Sequence, residues 1–121
     1  MSTEHWKNEP EAQDFPAAES YLSLLMDPGE AAKLVKALQK ADKLVHYKAK
    51  DILRASRLPL LPEDNKHVAS DLNKVAEGKK LSPVLLVRGK PLQVADGYHR
   101  VCASYHLDEN ADIPSRIVDP S

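Results

Sequence analysis

The stretch from Lys80 to Val118 reads KLSPVLLVRGKPLQVADGYHRVCASYHLDENADIPSRIV. Pro83 to Val87 is an unbroken apolar run of strand length, closed by Arg88 and Gly89. Such a run predicts a strand covered on both faces, because a strand with one wet face alternates instead. Gly89-Lys90 marks a turn, and Pro91 to Ala95 predicts a returning strand. Val101, Cys102, Tyr105 and His106 recur at helical spacing, so His99 to Leu107 reads as a helix, and Ile113 to Val118 reads as a last strand.

Working outward, a helix is expected from Glu63 or Asp64 to Glu77, with Val68, Leu72 and Val75 inward and Gly78 as its stop. Alternation of Val45, Tyr47 and Ala49 predicts a short strand, followed by a turn of helix over Asp51 to Leu53. Asp27, Pro28 and Glu30 form a helix start, and Ala31, Leu34, Val35 and Leu38 keep the spacing of one buried helix face. Glu19 to Met26 suits a short helix. Residues 1–18 are polar, acidic and proline-containing, and predict a flexible tail. The expected organisation is therefore a tail, then one domain over 19–121 with a helical extension at 19–43. The fold class is α/β in the broad sense (α+β), a small mixed sheet covered by helices.

Composition narrows the function classes. The chain has 121 residues, 42% hydrophobic and 29% charged, and 17 basic residues nearly balance 18 acidic ones. A nucleic-acid coat usually carries a clear basic excess, and none is present here. A small cluster of Lys50, Arg54 and Arg57 has no interleaved aromatics to stack bases. Cys102 is the only cysteine, which excludes an internal disulfide and fits a reducing compartment. With no signal-like apolar segment and no run approaching a membrane span, a cytoplasmic protein without a membrane partner is expected. His46, His67 and His106 show no tight metal-ligand spacing, so no structural metal is expected.

The chemistry concentrates in Asp96-Gly97-Tyr98-His99-Arg100, between a strand and a helix. Gly97 permits a sharp turn and close backbone approach to a ligand. The helix start that follows offers free N–H groups to an anion. Arg100 carries a planar fork of donors, and His99 a donor whose charge changes near neutral pH. Asp96 reads as a helix cap, a partner for Arg100 or a metal holder. The bland alternative, a capped turn with exposed first-turn residues, leaves two cations against the helix dipole unless an anion joins them.

The block Lys80 to Val118 resembles the ParB/sulfiredoxin superfamily, in its hairpin, glycine-centred turn, following helix and final Ile-Pro strand. The likeness extends weakly back to about Asp51. Sulfiredoxins carry Gly-Cys-His-Arg where this chain has Gly97, Tyr98, His99 and Arg100; Tyr98 stands where their nucleophile would be, so their sulfinic-acid reduction does not carry over. The free-serine kinases of the superfamily carry Asp-Gly-x-His-Arg, matched by Asp96, Gly97, His99 and Arg100. They also place a catalytic glutamate upstream, for which Glu63 is the candidate. ParB proteins bind CTP through a segment that only Gly97 and Arg100 match.

The resemblance implies a nucleotide or phosphorylated small molecule as ligand, bound by Gly97, His99, Arg100 and Lys66, with Glu63 or Asp96 as base or metal holder. Lys66 falls near a nucleotide-contacting lysine of sulfiredoxins, although a solvated helix lysine is the more ordinary reading. ATP or another nucleotide, accompanied by Mg²⁺, is the implied cofactor, and phosphotransfer or nucleotide hydrolysis the implied chemistry. A non-catalytic DNA- or protein-interaction module on the same fold is the alternative.

Overall fold

The computed structural model describes residues 5–120. In chain order it holds α1 (Asp14–Leu22), α2 (Pro28–Lys40), β1 (Val45–Lys48), α3 (Ala49–Ser56), α4 (Lys66–Ala76), β2 (Val84–Val87), β3 (Gln93–Asp96), α5 (Tyr98–Leu107) and β4 (Asp112–Val118). The sheet order is β1-β4-β2-β3, with β2 parallel to β4 and the other pairings antiparallel. This is the expected mixed α+β class.

β2 lies inside the sheet, between β4 and β3, and all four of its residues are buried. Its alternate side chains enter two cores. Val84 and Leu86 join Val94, Val101, Ile52 and Val68 beneath α3, α4 and α5. Leu85 and Val87 join Ala95, Ala18, Leu34 and Leu38 beneath α1 and α2. The unbroken apolar run is thus the signature of a strand sandwiched between two helical layers.

Local chemistry sets the helix ends. The Asp27 carboxylate accepts from the Gly29 N–H at 2.9 Å, and Pro28 occupies the first helical position, where its missing donor costs nothing. Arg116 of β4 donates to the carbonyls of Leu38 and Gln39 at 3.0 and 3.1 Å, closing the other end of α2. α4 begins later than expected. Asn65 accepts from the N–H groups of His67 and Val68 at 3.0 and 3.2 Å, so Glu63 and Asp64 lie in the turn before the helix.

The expected tail is different in the structure. Residues 1–4 lie outside the described residues, but from His5 onward the segment packs on the body. Trp6 is 3% exposed and pairs with Leu81, whose N–H donates to the His5 carbonyl at 2.8 Å. The first helix starts at Asp14, five residues before the expected Glu19. Proline obscured it: Pro16 sits in the first turn, where a helix tolerates it, and Asp14, Ala18 and Leu22 are buried at i, i+4, i+8 spacing. A buried indole removes a large apolar area from water, enough to order a short polar segment around it. Among the described residues no helix is long and apolar enough to cross a membrane.

Candidate functional site

β3 ends at Asp96, and α5 begins at Tyr98, with Gly97 between them at φ +110°. A β-carbon there would meet Val84 Cγ1 at 2.5 Å. Both the backbone conformation and the space therefore require glycine. Gly97 also has no side chain to cap the helix, and the first intrahelical bond runs from the Val101 N–H to the Gly97 carbonyl at 3.0 Å. The N–H groups of Tyr98, His99 and Arg100 consequently have no side-chain cap, unlike the capped starts of α2 and α4.

Arg100 turns inward. Its Nη2 donates to Asp96 Oδ2 at 3.0 Å and to the Pro83 carbonyl at 3.2 Å, and lies 3.9 Å from Asp14 Oδ1. The side chains of Arg100, Asp96 and Asp14 are only 16%, 15% and 5% exposed. One guanidinium thus faces two carboxylates in a dry setting. Burial pushes the Asp96 carboxyl up to about 6; Arg100 opposes that shift and Asp14 adds to it. Asp14 is fixed in turn by the Glu11 N–H, which donates to its Oδ2 at 2.9 Å. Asp14 carries no signal in the sequence; it lies in the segment expected to be loose.

The raised carboxyl has a consequence for stability. Between its ordinary value and about 6, the folded protein holds a proton at Asp96 that the unfolded chain has released. Stability from this group is therefore complete at the acid end of that window and is lost as pH rises through it. Asp96→Asn should flatten the slope of urea-unfolding free energy between pH 4.5 and 7, as measured on both proteins side by side. An unchanged slope would remove Asp96 as the responsible group.

Next to this pair a cleft of about 200 Å³ opens between α4 and the start of α5. Gly97, His99, Asp96 and Arg100 line one side, and His67, Ser70, Asp71 and Lys74 the other. The His67 and His99 rings stand 4.7 Å apart. Burial, with His67 next to it, lowers the His99 pKa, so this imidazole resists charging. Asp71 is buried and its carboxyl is raised by that burial, while Lys74 Nζ lies 3.8 Å from it. The α4 residues were legible only as a polar stripe: 67, 70, 71 and 74 keep the spacing of one helix face. Nothing in the sequence says which neighbour that face meets.

Of the residues singled out in the sequence, Asp96, Gly97, His99 and Arg100 meet at the cleft. Glu63 and Lys66 do not line it. The Glu63 side chain is 71% exposed, with Oε1 3.6 Å from Nδ1 of His106. His106 lies seven residues beyond His99 on α5, roughly 10 Å further along the axis. Lys66 is the exposed first residue of α4. Tyr98 donates its hydroxyl to the Pro59 carbonyl. Cys102 is fully buried and burial pushes its thiol up, the opposite of an activated nucleophile.

The cleft has room for a phosphate or pyrophosphate group, being smaller than the roughly 300–1,000 Å³ of pockets that enclose a whole drug-sized ligand. A nucleoside attached to it would extend outside. Among the described residues no three His, Cys, Asp or Glu side chains converge on a metal-sized site. Magnesium carried by a nucleotide needs only one or two carboxylates beyond its phosphates and waters, and Asp71 and Asp96 are the two at the cleft.

No protein-family model, no curated protein and no solved structure matches the chain.

Proposed function

We propose that the protein binds a phosphate-bearing ligand, a nucleotide or a phosphorylated small molecule, in the cleft between α4 and the start of α5. The observation that carries this reading is the glycine-started α5, whose uncapped amides open beside His67, His99 and Lys74. Backbone donors at a helix start and a nearby ammonium are the elements of a phosphate site. The ParB/sulfiredoxin resemblance of Gly97, His99 and Arg100 points the same way.

The roles divide differently from those the resemblance alone implies. His99 and Lys74 contact the phosphate, and the amides of residues 98–100 cradle it. Arg100, held by two carboxylates, positions the turn and tempers its charge. Asp96, with its carboxyl pushed up to about 6, is the group at the cleft suited to proton transfer should phosphotransfer or nucleotide hydrolysis follow binding. Glu63 has no part in this reading.

Calorimetric titration with ATP, ADP, CTP and inorganic phosphate, with and without Mg²⁺, tests it. One of the nucleotides should bind at micromolar concentration. His99→Ala and Lys74→Ala should each weaken that binding about 10-fold or more, the cost of a lost charge-assisted hydrogen bond. Both side chains stand at the cleft edge, so circular dichroism should show folded variants. Folded wild-type protein that gives no heat with any of the four ligands would defeat the proposal.

A further inference from the structure

At the other end of β2 from Gly97 a second, larger cavity of about 430 Å³ opens on the face covered by α3. Its floor is Leu86 and Ile52, both buried, and its walls include Ile117, Leu92 and the ring of Tyr47. These residues come from α3, three strands and the loop between β2 and β3. The Leu92 N–H donates to the Ala55 carbonyl at 2.9 Å, which ties the hairpin to α3 across the cavity. The volume falls within the range that encloses a small organic ligand.

The rim is polar and unevenly charged. Arg88 and Lys90 stand on the hairpin side. Among the described residues Lys90 forms no hydrogen bond or ion pair, and the Tyr47 hydroxyl has no hydrogen-bond partner. Arg88 Nε pairs with Asp119 at 2.9 Å, but these side chains are so open to water that the pair leaves Arg88 free to exchange partners. The one acidic residue of the rim, Asp51, is already matched by Arg54 at 3.6 Å.

We propose that this cavity is a binding site for a small amphiphilic anion. An aromatic or branched aliphatic body fills the apolar interior, and a carboxylate meets Lys90 and Arg88 at the rim. The juxtaposition of a mainly apolar cavity with two cations on one side sets this chemistry: apolar burial supplies the affinity, and the cations set the orientation. The site is independent of the phosphate cleft and shares no residue with it.

Amide NMR titration of the full chain with naphthoate, and with uncharged naphthamide, tests the proposal. Naphthoate should give saturable shifts confined to residues 47, 51–55, 86–92 and 117, leaving residues 97–100 unmoved. It should bind about three- to fivefold more tightly than the amide, the size of a solvent-exposed ion-pair contribution, and Lys90→Ala should reduce that difference, with Arg88 left as the remaining cation. Ala55→Phe, which adds a ring at the cavity wall, should abolish binding of both compounds. Lys90 is exposed, so its variant keeps the test decisive even if Ala55→Phe unfolds. Absence of saturable shifts in those residues, equal affinity for the two compounds, or a difference left unchanged by Lys90→Ala would each overturn the proposal.

Discussion

Arg100→Ala should lower the unfolding free energy by about 3–5 kcal/mol at pH 7, the range for removing one partner of a buried ion pair. The size follows from what is left behind rather than from the lost contacts alone. Asp14 and Asp96 would remain buried with no cation between them, and the Pro83 carbonyl would lose a donor. Two desolvated like charges then oppose folding. The loss should shrink at pH 4.5, where the folded state can protonate a carboxyl already raised to about 6 with the guanidinium in place. The triple variant Asp14→Asn, Asp96→Asn, Arg100→Met should recover much of the stability, because it removes the charges together. Urea unfolding at both pH values decides it: an Arg100→Ala protein within about 1 kcal/mol of wild type at pH 7 would mean that the cluster is hydrated and that Arg100 is a surface residue.

Gly97→Ala should cost about 2–4 kcal/mol, combining backbone strain with overpacking. At φ +110° an L-residue is strained whatever surrounds it, and the new β-carbon would press on Val84 at 2.5 Å. Val84 belongs to the buried inner strand and has no room to withdraw. Adding Val84→Ala should recover part of the loss, the steric share, while the strain persists. Any displacement would move the start of α5 and the amides of residues 98–100 with it, so phosphate affinity should fall together with stability. Thermal unfolding of the two single variants and the double variant gives the partition. Full recovery in the double variant would show that strain contributes nothing, and no recovery would show that the contact with Val84 is not the obstacle.

Much of the site was legible because its parts are contiguous. Asp96 to Arg100 occupy a single strand-to-helix turn, so their neighbourhood could be read directly from the sequence. The facing half of the cleft was not legible. His67, Ser70, Asp71 and Lys74 form a polar stripe whose meaning depends on which helix lies against it. Glu63 and Lys66 show the converse error. Both were placed by likeness to other proteins, and the Asn65 cap shifts the helix start so that Glu63 falls in a turn beside His106.

The sequence by itself determined several of the elements of this protein. The spacing of Ala31, Leu34, Val35 and Leu38, the run Val84 to Val87 and the Asp27-Pro28 start all act over a few residues, and each formed the element it announces. Only the tertiary structure decided the order of the N-terminal segment and the electrostatics of the turn. Trp6 orders its neighbours because Leu81 and a buried core lie ready to cover an indole. Asp14 meets Arg100 across 86 positions of sequence, and that separation is closed only by the packing of α1 on the sheet. A charge reads as solvated in a sequence until burial removes the water around it; here burial raises the Asp96 carboxyl, and the guanidinium it shares with Asp14 only opposes that shift.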